Sequence, residues 1–146
     1  MRALLQRVLE ASVTVDGTVV GEINQGLLVL LCAEHGDTEL TANRMLDKIV
    51  KLRIFSDDAG KMNLSVKDIG AGLLIVSQFT LAADTSKGTR PSFGNAAAPA
   101  EAKRLYEEFV SLANQTGLTV QTGIFAADMK VSLVNDGPVT IPLTMQ

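Results

Sequence analysis

A chain of 146 residues, 47% of them apolar and with a mean hydropathy of +0.24, supplies one sizeable core and leaves no room for a second domain, so residues 1–146 read as one unit. A formal net charge of −3 and a pI near 5.1 exclude a protein that wraps long nucleic acid, because neutralising phosphates needs clustered Lys and Arg. The lone Cys32 excludes an intramolecular disulfide, charge interrupts the opening Met1-Arg2-Ala3-Leu4-Leu5-Gln6-Arg7 too early for a signal peptide, and no apolar run approaches the roughly 18 residues that span a bilayer. These features read as a soluble, cytoplasmic protein without membrane partners.

In chain order, residues 4–8, 11–15 and 18–23 read as short strands, the last two joined by the two-residue hairpin signal Asp16-Gly17. Asn24-Gln25-Gly26 turns into the continuous apolar run 27–33, which predicts a strand buried on both faces and makes Cys32 a small hydrophobe rather than a nucleophile. Asp37 or Thr38 can cap a helix to about residue 52, with Ala42, Met45, Leu46, Ile49 and Val50 inward. Arg44, Lys48 and Lys51 form a basic stripe on its other side, either a solvated face or a phosphate track. A short strand near Ile54, a turn at 57–60 and a strand run over 73–80 follow. Residues 82–98, rich in small, polar, Gly and Pro residues, make a long loop of the kind that carries function in a compact domain. Pro99 opens a second helix with Ala102, Leu105, Tyr106, Phe109 and Ala113 buried, and Gly117 ends it. Strands over 118–122, 130–134 and 139–144 complete an α+β single domain: a mostly antiparallel, barrel-like sheet with two packed helices.

Two segments hold the chemistry. Asn135-Asp136-Gly137-Pro138, read by residue type, is a hairpin turn whose carbonyls can face something other than a sheet partner. Ser77-Gln78-Phe79-Thr80-Leu81 ends an apolar run; strand alternation puts Gln78 and Thr80 on one face and Ser77, Phe79 and Leu81 on the other. Phe79 then reads as a core residue or, where the strand end bends, as a ring turned toward the site, and Ser77 as a site residue or a partner for backbone. There is no CxxC, HExxH, P-loop or GxGxxG, and one His with one Cys cannot build the usual zinc site, so no metal or cofactor is expected. His35, just past a strand, reads as a surface-loop histidine that serves neither segment.

The segments Ser77-Gln78-Phe79-Thr80-Leu81 and Asn135-Asp136-Gly137-Pro138-Val139-Thr140 resemble the two signature motifs of the D-aminoacyl-tRNA deacylases. The likeness continues through Ala3-Leu4-Leu5-Gln6-Arg7-Val8, Arg53-Ile54-Phe55-Ser56-Asp57, Gly60-Lys61-Met62-Asn63-Leu64, Gly88-Thr89-Arg90-Pro91-Ser92-Phe93 and Gln121-Thr122-Gly123 with Phe125-Ala126-Ala127-Asp128-Met129, essentially end to end. The resemblance implies a hydrolase that proofreads translation by cleaving the ester between a D-amino acid and the 3′ terminal adenosine of tRNA, and glycyl-tRNA mischarged on non-cognate tRNA. It also implies a homodimer in which a cis Gly137-Pro138 pair enters the partner's pocket and reads stereochemistry, with Arg90 anchoring the loop or the inserted motif and no role for DNA. A threonine hydroxyl is a weak nucleophile without a base, so Thr80 and the N–H groups around Gln78 and Phe79 are expected to hold the ester carbonyl while water or the ribose hydroxyl attacks. The basic residues Lys87 and Arg90 of the following loop are candidates for a phosphate track toward the acceptor end. A small-molecule esterase or amidohydrolase, and a non-enzymatic nucleic-acid-binding module, are the alternative readings.

Overall fold

In the computed structural model, which describes residues 1–146, the first two expected strands are one, β1 (Arg2–Val15). It stays continuous because β8 (Lys130–Thr144) runs along one whole edge, while on the other edge β3 (Gly26–Cys32) lies along residues 2–8 and β2 (Thr18–Ile23) along 11–15. The β1–β2 connection is the expected Asp16-Gly17 hairpin, with both residues at positive φ, 49° and 78°.

β3 carries β6 (Gly72–Ser77) as a parallel partner, and β6 carries β7 (Val120–Thr122), also parallel. The sheet is therefore mixed, three antiparallel pairings with two parallel ones. Parallel neighbours need crossovers. The first contains α1 (Glu39–Lys51), the small hairpin β4 (Phe55–Ser56) and β5 (Met62–Leu64), and the single-turn helix α2 (Val66–Ile69); the second contains α3 (Pro99–Asn114). At the far side β2 comes back against β7, and Gly21 approaches so closely that a Cβ there would collide with the Thr122 carbonyl oxygen. That contact nearly closes the sheet into a barrel.

Both sheet faces are buried, as the unbroken apolar run of β3 requires. Leu27 and Val29 belong to the larger core, which Met45 and Ile49 of α1 and Leu105 and Phe109 of α3 complete. Leu28, between them, faces a second cluster with Val8, Val13, Ile23, Leu74 and Val76. Thr38 caps α1 in a reciprocal box with Thr41, and Ser65 does the same for α2 with Asp68. That second box marks a helix the sequence reading did not contain. Pro99 stands in the first turn of α3 as expected, and Arg104 ties this helix to α1 by pairing with both Glu101 and Glu39.

Tyr106 fixes α3 on the sheet, its buried hydroxyl donating to the Ile75 carbonyl of β6 at 2.7 Å. Burial disfavours the phenolate and pushes the Tyr106 pKa up to about 12. The unfolded phenol titrates near pH ~10, so its stabilising contribution is intact below that pH and is lost as pH rises toward 12. Tyr106 is the only tyrosine and there is no tryptophan. Phenolate absorbance during an alkaline titration should thus report this residue alone, with a midpoint well above that of free tyrosine; an ordinary midpoint with the fold intact would refute the buried phenol.

Candidate functional site

The strand expected over 73–80 stops early. β6 ends at Ser77, which pairs with Leu31 and is half-buried, and Phe79–Ala82 form one 3-10 turn. The strand alternation expected of Gln78, Phe79 and Thr80 therefore does not hold. The Gln78 N–H is used by the Leu31 carbonyl at 2.8 Å, so it is not free to bind a ligand. The N–H groups of Phe79 and Thr80, which open the turn, have no acceptor in the chain. The Gln78 side-chain amide donates to the Thr80 hydroxyl, which fixes the oxygen and leaves its own proton to be given outward. Three donors thus collect at one exposed point.

Phe79 is 56% exposed rather than a core residue, because the turn swings it off the sheet. It meets Phe93 edge to face with ring centroids 5.1 Å apart. Beside them opens a cleft of about 730 Å³, lined among others by Ser77, Gln78, Phe79, Phe93, Tyr106 and Phe125. Its walls are mostly apolar. Beneath the turn, the Cys32 thiol points at the Phe79 carbonyl at 3.6 Å; burial first, then the Glu34 carboxylate, raises its pKa and keeps it a neutral thiol. His35 is exposed, yet it lines this same cleft, a placement the sequence reading did not foresee.

The Gly-Pro segment is not a hairpin. β8 runs on through it, and the register against β1 jumps from Gln6–Thr140 to Val8–Asn135. Asp136, Gly137, Pro138 and Val139 all bulge opposite the single residue Arg7. The Gly137–Pro138 peptide is cis and Gly137 has φ +147°. A Cβ on Gly137 would stand 2.7 Å from Val139 Cγ2 and 3.3 Å from an Arg7 guanidinium nitrogen, so this position requires glycine.

Two side chains shape the bulge. Asn135 accepts the Val139 N–H at 2.7 Å and donates to the Val139 carbonyl at 3.2 Å and the Thr140 hydroxyl at 3.1 Å. Arg7, 9% exposed, donates from Nε to the Asp136 carbonyl at 2.8 Å and from a terminal nitrogen to the Ile54 carbonyl at 2.8 Å. The Asp136 carboxylate stands 3.7 Å from Nε and balances the buried charge. Arg7 was visible only as part of a resembling segment, although a lone arginine in an apolar strand is itself the signal of a buried polar anchor.

Ser77, Gln78 and Phe79 therefore line the cleft, with Thr80 next to them on the turn, whereas neither Gly137 nor Pro138 lines the cleft of its own chain. Arg90 is exposed in the loop after the turn, without an ion-pair partner. The basic stripe of α1 is largely occupied: Arg44 donates to the Gln146 carbonyl at 2.9 Å, and Lys51 pairs with Asp47 at 2.7 Å. Phe93, Tyr106 and Phe125 are aromatic cleft residues that, like His35, the sequence does not mark as part of the site. No helix is long and apolar enough to cross a membrane.

Comparison with known proteins matches residues 4–144 to the family model described as D-Tyr-tRNA(Tyr) deacylase. The chain is 64% identical to a D-aminoacyl-tRNA deacylase of Variovorax paradoxus (strain S110), covering 99% of both chains. Another of that name, from Paracidovorax citrulli (strain AAC00-1), is 64% identical over 98% of this chain and 92% of the relative. Among solved structures, a c-Myc DNA unwinding element binding protein superposes with TM-score 0.94 at 40% identity, over 99% of this chain and 98% of that one. A probable eukaryotic D-amino acid tRNA deacylase superposes with TM-score 0.84 at 16% identity over 97% of each, a likeness of fold.

Replacing Arg7 with methionine should cost about 2–3 kcal/mol in denaturant unfolding, since it strips charged donors from two carbonyls. Arg7→Lys should restore little, because one ammonium cannot reproduce the guanidinium's fixed fork; full recovery with lysine would show that charge alone suffices.

Proposed function

The chain belongs to the D-Tyr-tRNA(Tyr) deacylase family, and from that membership we propose that it is a hydrolase cleaving the ester between a D-amino acid and the 3′ terminal adenosine of tRNA. The observation that best supports this reading is the set of three donors, the N–H groups of Phe79 and Thr80 and the Thr80 hydroxyl, on the exposed turn whose Phe79 lines an apolar cleft. The cleft, with Phe125 and Tyr106 in its wall, suits a purine base and its ribose. At the turn, the ester carbonyl accepts these hydrogen bonds, which strengthen as the tetrahedral oxyanion forms. Water attacks the carbonyl carbon, directly or after the neighbouring ribose hydroxyl has taken over the acyl group; collapse of the water adduct breaks the bond to the ribose oxygen, which takes up a proton. Hydrolysis then ends in free amino acid and tRNA.

Such a site works without a strong base. The α-ammonium of the substrate already withdraws electrons from the carbonyl, so positioning and charge stabilisation carry the rate. The neutral Cys32 serves as packing, its thiol on the Phe79 carbonyl steadying the turn.

Handedness is read by the exposed Gly137-Pro138 bulge, delivered from a second copy of the chain. That neither residue lines its own cleft supports this arrangement. The bulge presents backbone in the direction an L side chain would take, whereas a D side chain leaves toward solvent. Glycine has nothing to exclude and is accepted, so glycyl-tRNA is also a substrate. This is chiral proofreading in translation, work of the cytoplasm. A second reading, DNA binding, draws on the 40% identical relative that is named for binding a DNA unwinding element; the net charge of −3 speaks against wrapping a duplex and for contact with a short end.

Deacylation of matched D- and L-aminoacyl-tRNAs tests the reading: D and glycyl esters should be cleaved and L esters spared. Cleavage of simple esters of both hands, with D-aminoacyl-tRNA untouched, would favour a general esterase. Thr80→Ala should lower the single-turnover rate by roughly 10²-fold, the scale of one lost oxyanion donor; a full rate would remove Thr80 from the mechanism. Gly137→Ala should disturb discrimination through the collisions with Val139 and Arg7, and unchanged D turnover with unchanged L rejection would speak against a backbone gate.

A further inference from the structure

We propose that the loop from Asp84 to Ser92 is a phosphate clamp for the single-stranded 3′ end of the RNA, made by Lys87 and Arg90; this rests on the function proposed above. The loop is built as a fixed projection. Asp84 and Ser92 exchange both backbone hydrogen bonds, at 2.7 and 2.9 Å, and close its base. Inside, the Asp84 carboxylate accepts the Ser86 N–H at 2.9 Å, and Gly88 turns the tip at φ +64°. The hydrogen bonds from Ser86, side chain and backbone, hold the Asp84 pKa below its usual value. That acid is spent on the loop's own backbone.

The two cations are exposed and have no partner in the chain. Elsewhere the surface neutralises its positive charge, as in Arg2 with Glu34, Lys51 with Asp47, Arg104 with Glu101 and Glu39, and Lys130 with Asp128. The other unpaired lysines, Lys48, Lys61 and Lys67, lie singly on α1, beside β5 and on α2. This loop presents two in a stretch with no acidic residue between Asp84 and Glu101. Arg44 and Arg53, the other arginines without an acidic partner, each already donate to a backbone carbonyl, of Gln146 and Asn63. Its position completes the case. One arm begins after the Phe79–Ala82 turn and the other delivers Phe93, whose ring packs on Phe79. The loop thus springs from two segments that line the cleft, at Phe79 and Phe93, within reach of the phosphates of a strand whose last nucleotide occupies it.

The probe is uncharged tRNA, titrated against the full-length protein at several salt concentrations. On single strands each phosphate contact adds about 0.7 to the salt slope, so Lys87→Ala with Arg90→Ala should flatten it by about 1.4. Between 50 and 200 mM salt, wild type should then lose about 7-fold more affinity than the double variant. The charge-preserving pair Lys87→Arg with Arg90→Lys should keep the wild-type slope. tRNA trimmed of its single-stranded end should bind wild type and the double variant alike. An unchanged slope in the alanine variant overturns the proposal, as does equal flattening in the charge-preserving one or an undiminished difference on trimmed tRNA. Because no ester is cleaved, failure here is separable from failure of the deacylase reading.

Discussion

The constraint on which the rest depends is the mismatch between β1 and β8 at Arg7. Two long strands pair along almost their whole length, yet one of them carries four extra-ladder residues opposite a single residue of the other. Each of those residues has backbone groups that lose their sheet partners, and orphaned backbone groups must find others. The Arg7 guanidinium and the Asn135 amide supply them. Arg7 also reaches the Ile54 carbonyl and so ties the bulge to the segment that follows α1. The burial of a charged side chain is thereby balanced, and the exposed Gly137-Pro138 pair is held by the core rather than by a flexible turn.

The same economy governs the other half of the site. Here the parallel pairing of β3 with β6 takes the Gln78 N–H through Leu31, and the chain then turns away from the sheet. The consequence is that the next two N–H groups are freed together. No unusual residue is needed to create donors, only the end of a strand and the start of a 3-10 turn. The side chain of Gln78 adds the one element that backbone cannot, by fixing the Thr80 hydroxyl.

Much of the fold was legible because it rests on periodicity. The apolar run of β3 announced burial on both faces, Thr38 and Pro99 marked helix starts, and Asp16-Gly17 marked its hairpin. The misreadings have a common cause in non-local pairing. Residues 4–8 and 11–15 looked like two strands because burial lapses at Leu9 and Glu10, but β8, paired at Val8 and again at Glu10, carries β1 across the gap. Asn135-Asp136-Gly137-Pro138 has the composition of a hairpin, and only the continuing β1 partner makes it a bulge. Phe79 looked like core because the end of β6 cannot be placed from an apolar run alone. The two parallel pairings and Arg7's partners depend on crossovers and contacts more than a hundred residues apart in the case of Asp136, which no local pattern encodes.

An enzyme that sorts by handedness has to ignore what distinguishes one amino acid from another, and this shapes where its binding energy can come from. A side-chain pocket would add affinity and would also rank substrates, since even one methylene in an apolar pocket is worth ~1–3 kcal/mol. Under the proposed function, the amino acid is met by backbone at Phe79, Thr80 and Gly137, groups present whatever the substrate carries. Affinity then falls to the invariant part, the terminal nucleoside in the cleft and the phosphates behind it. The overall charge of −3 limits that interaction to a short stretch, because the long-range field repels a polyanion. Two local cations beside the cleft are enough to capture an end without capturing the whole RNA, and weak capture suits a proofreader that must release every correctly charged molecule it inspects.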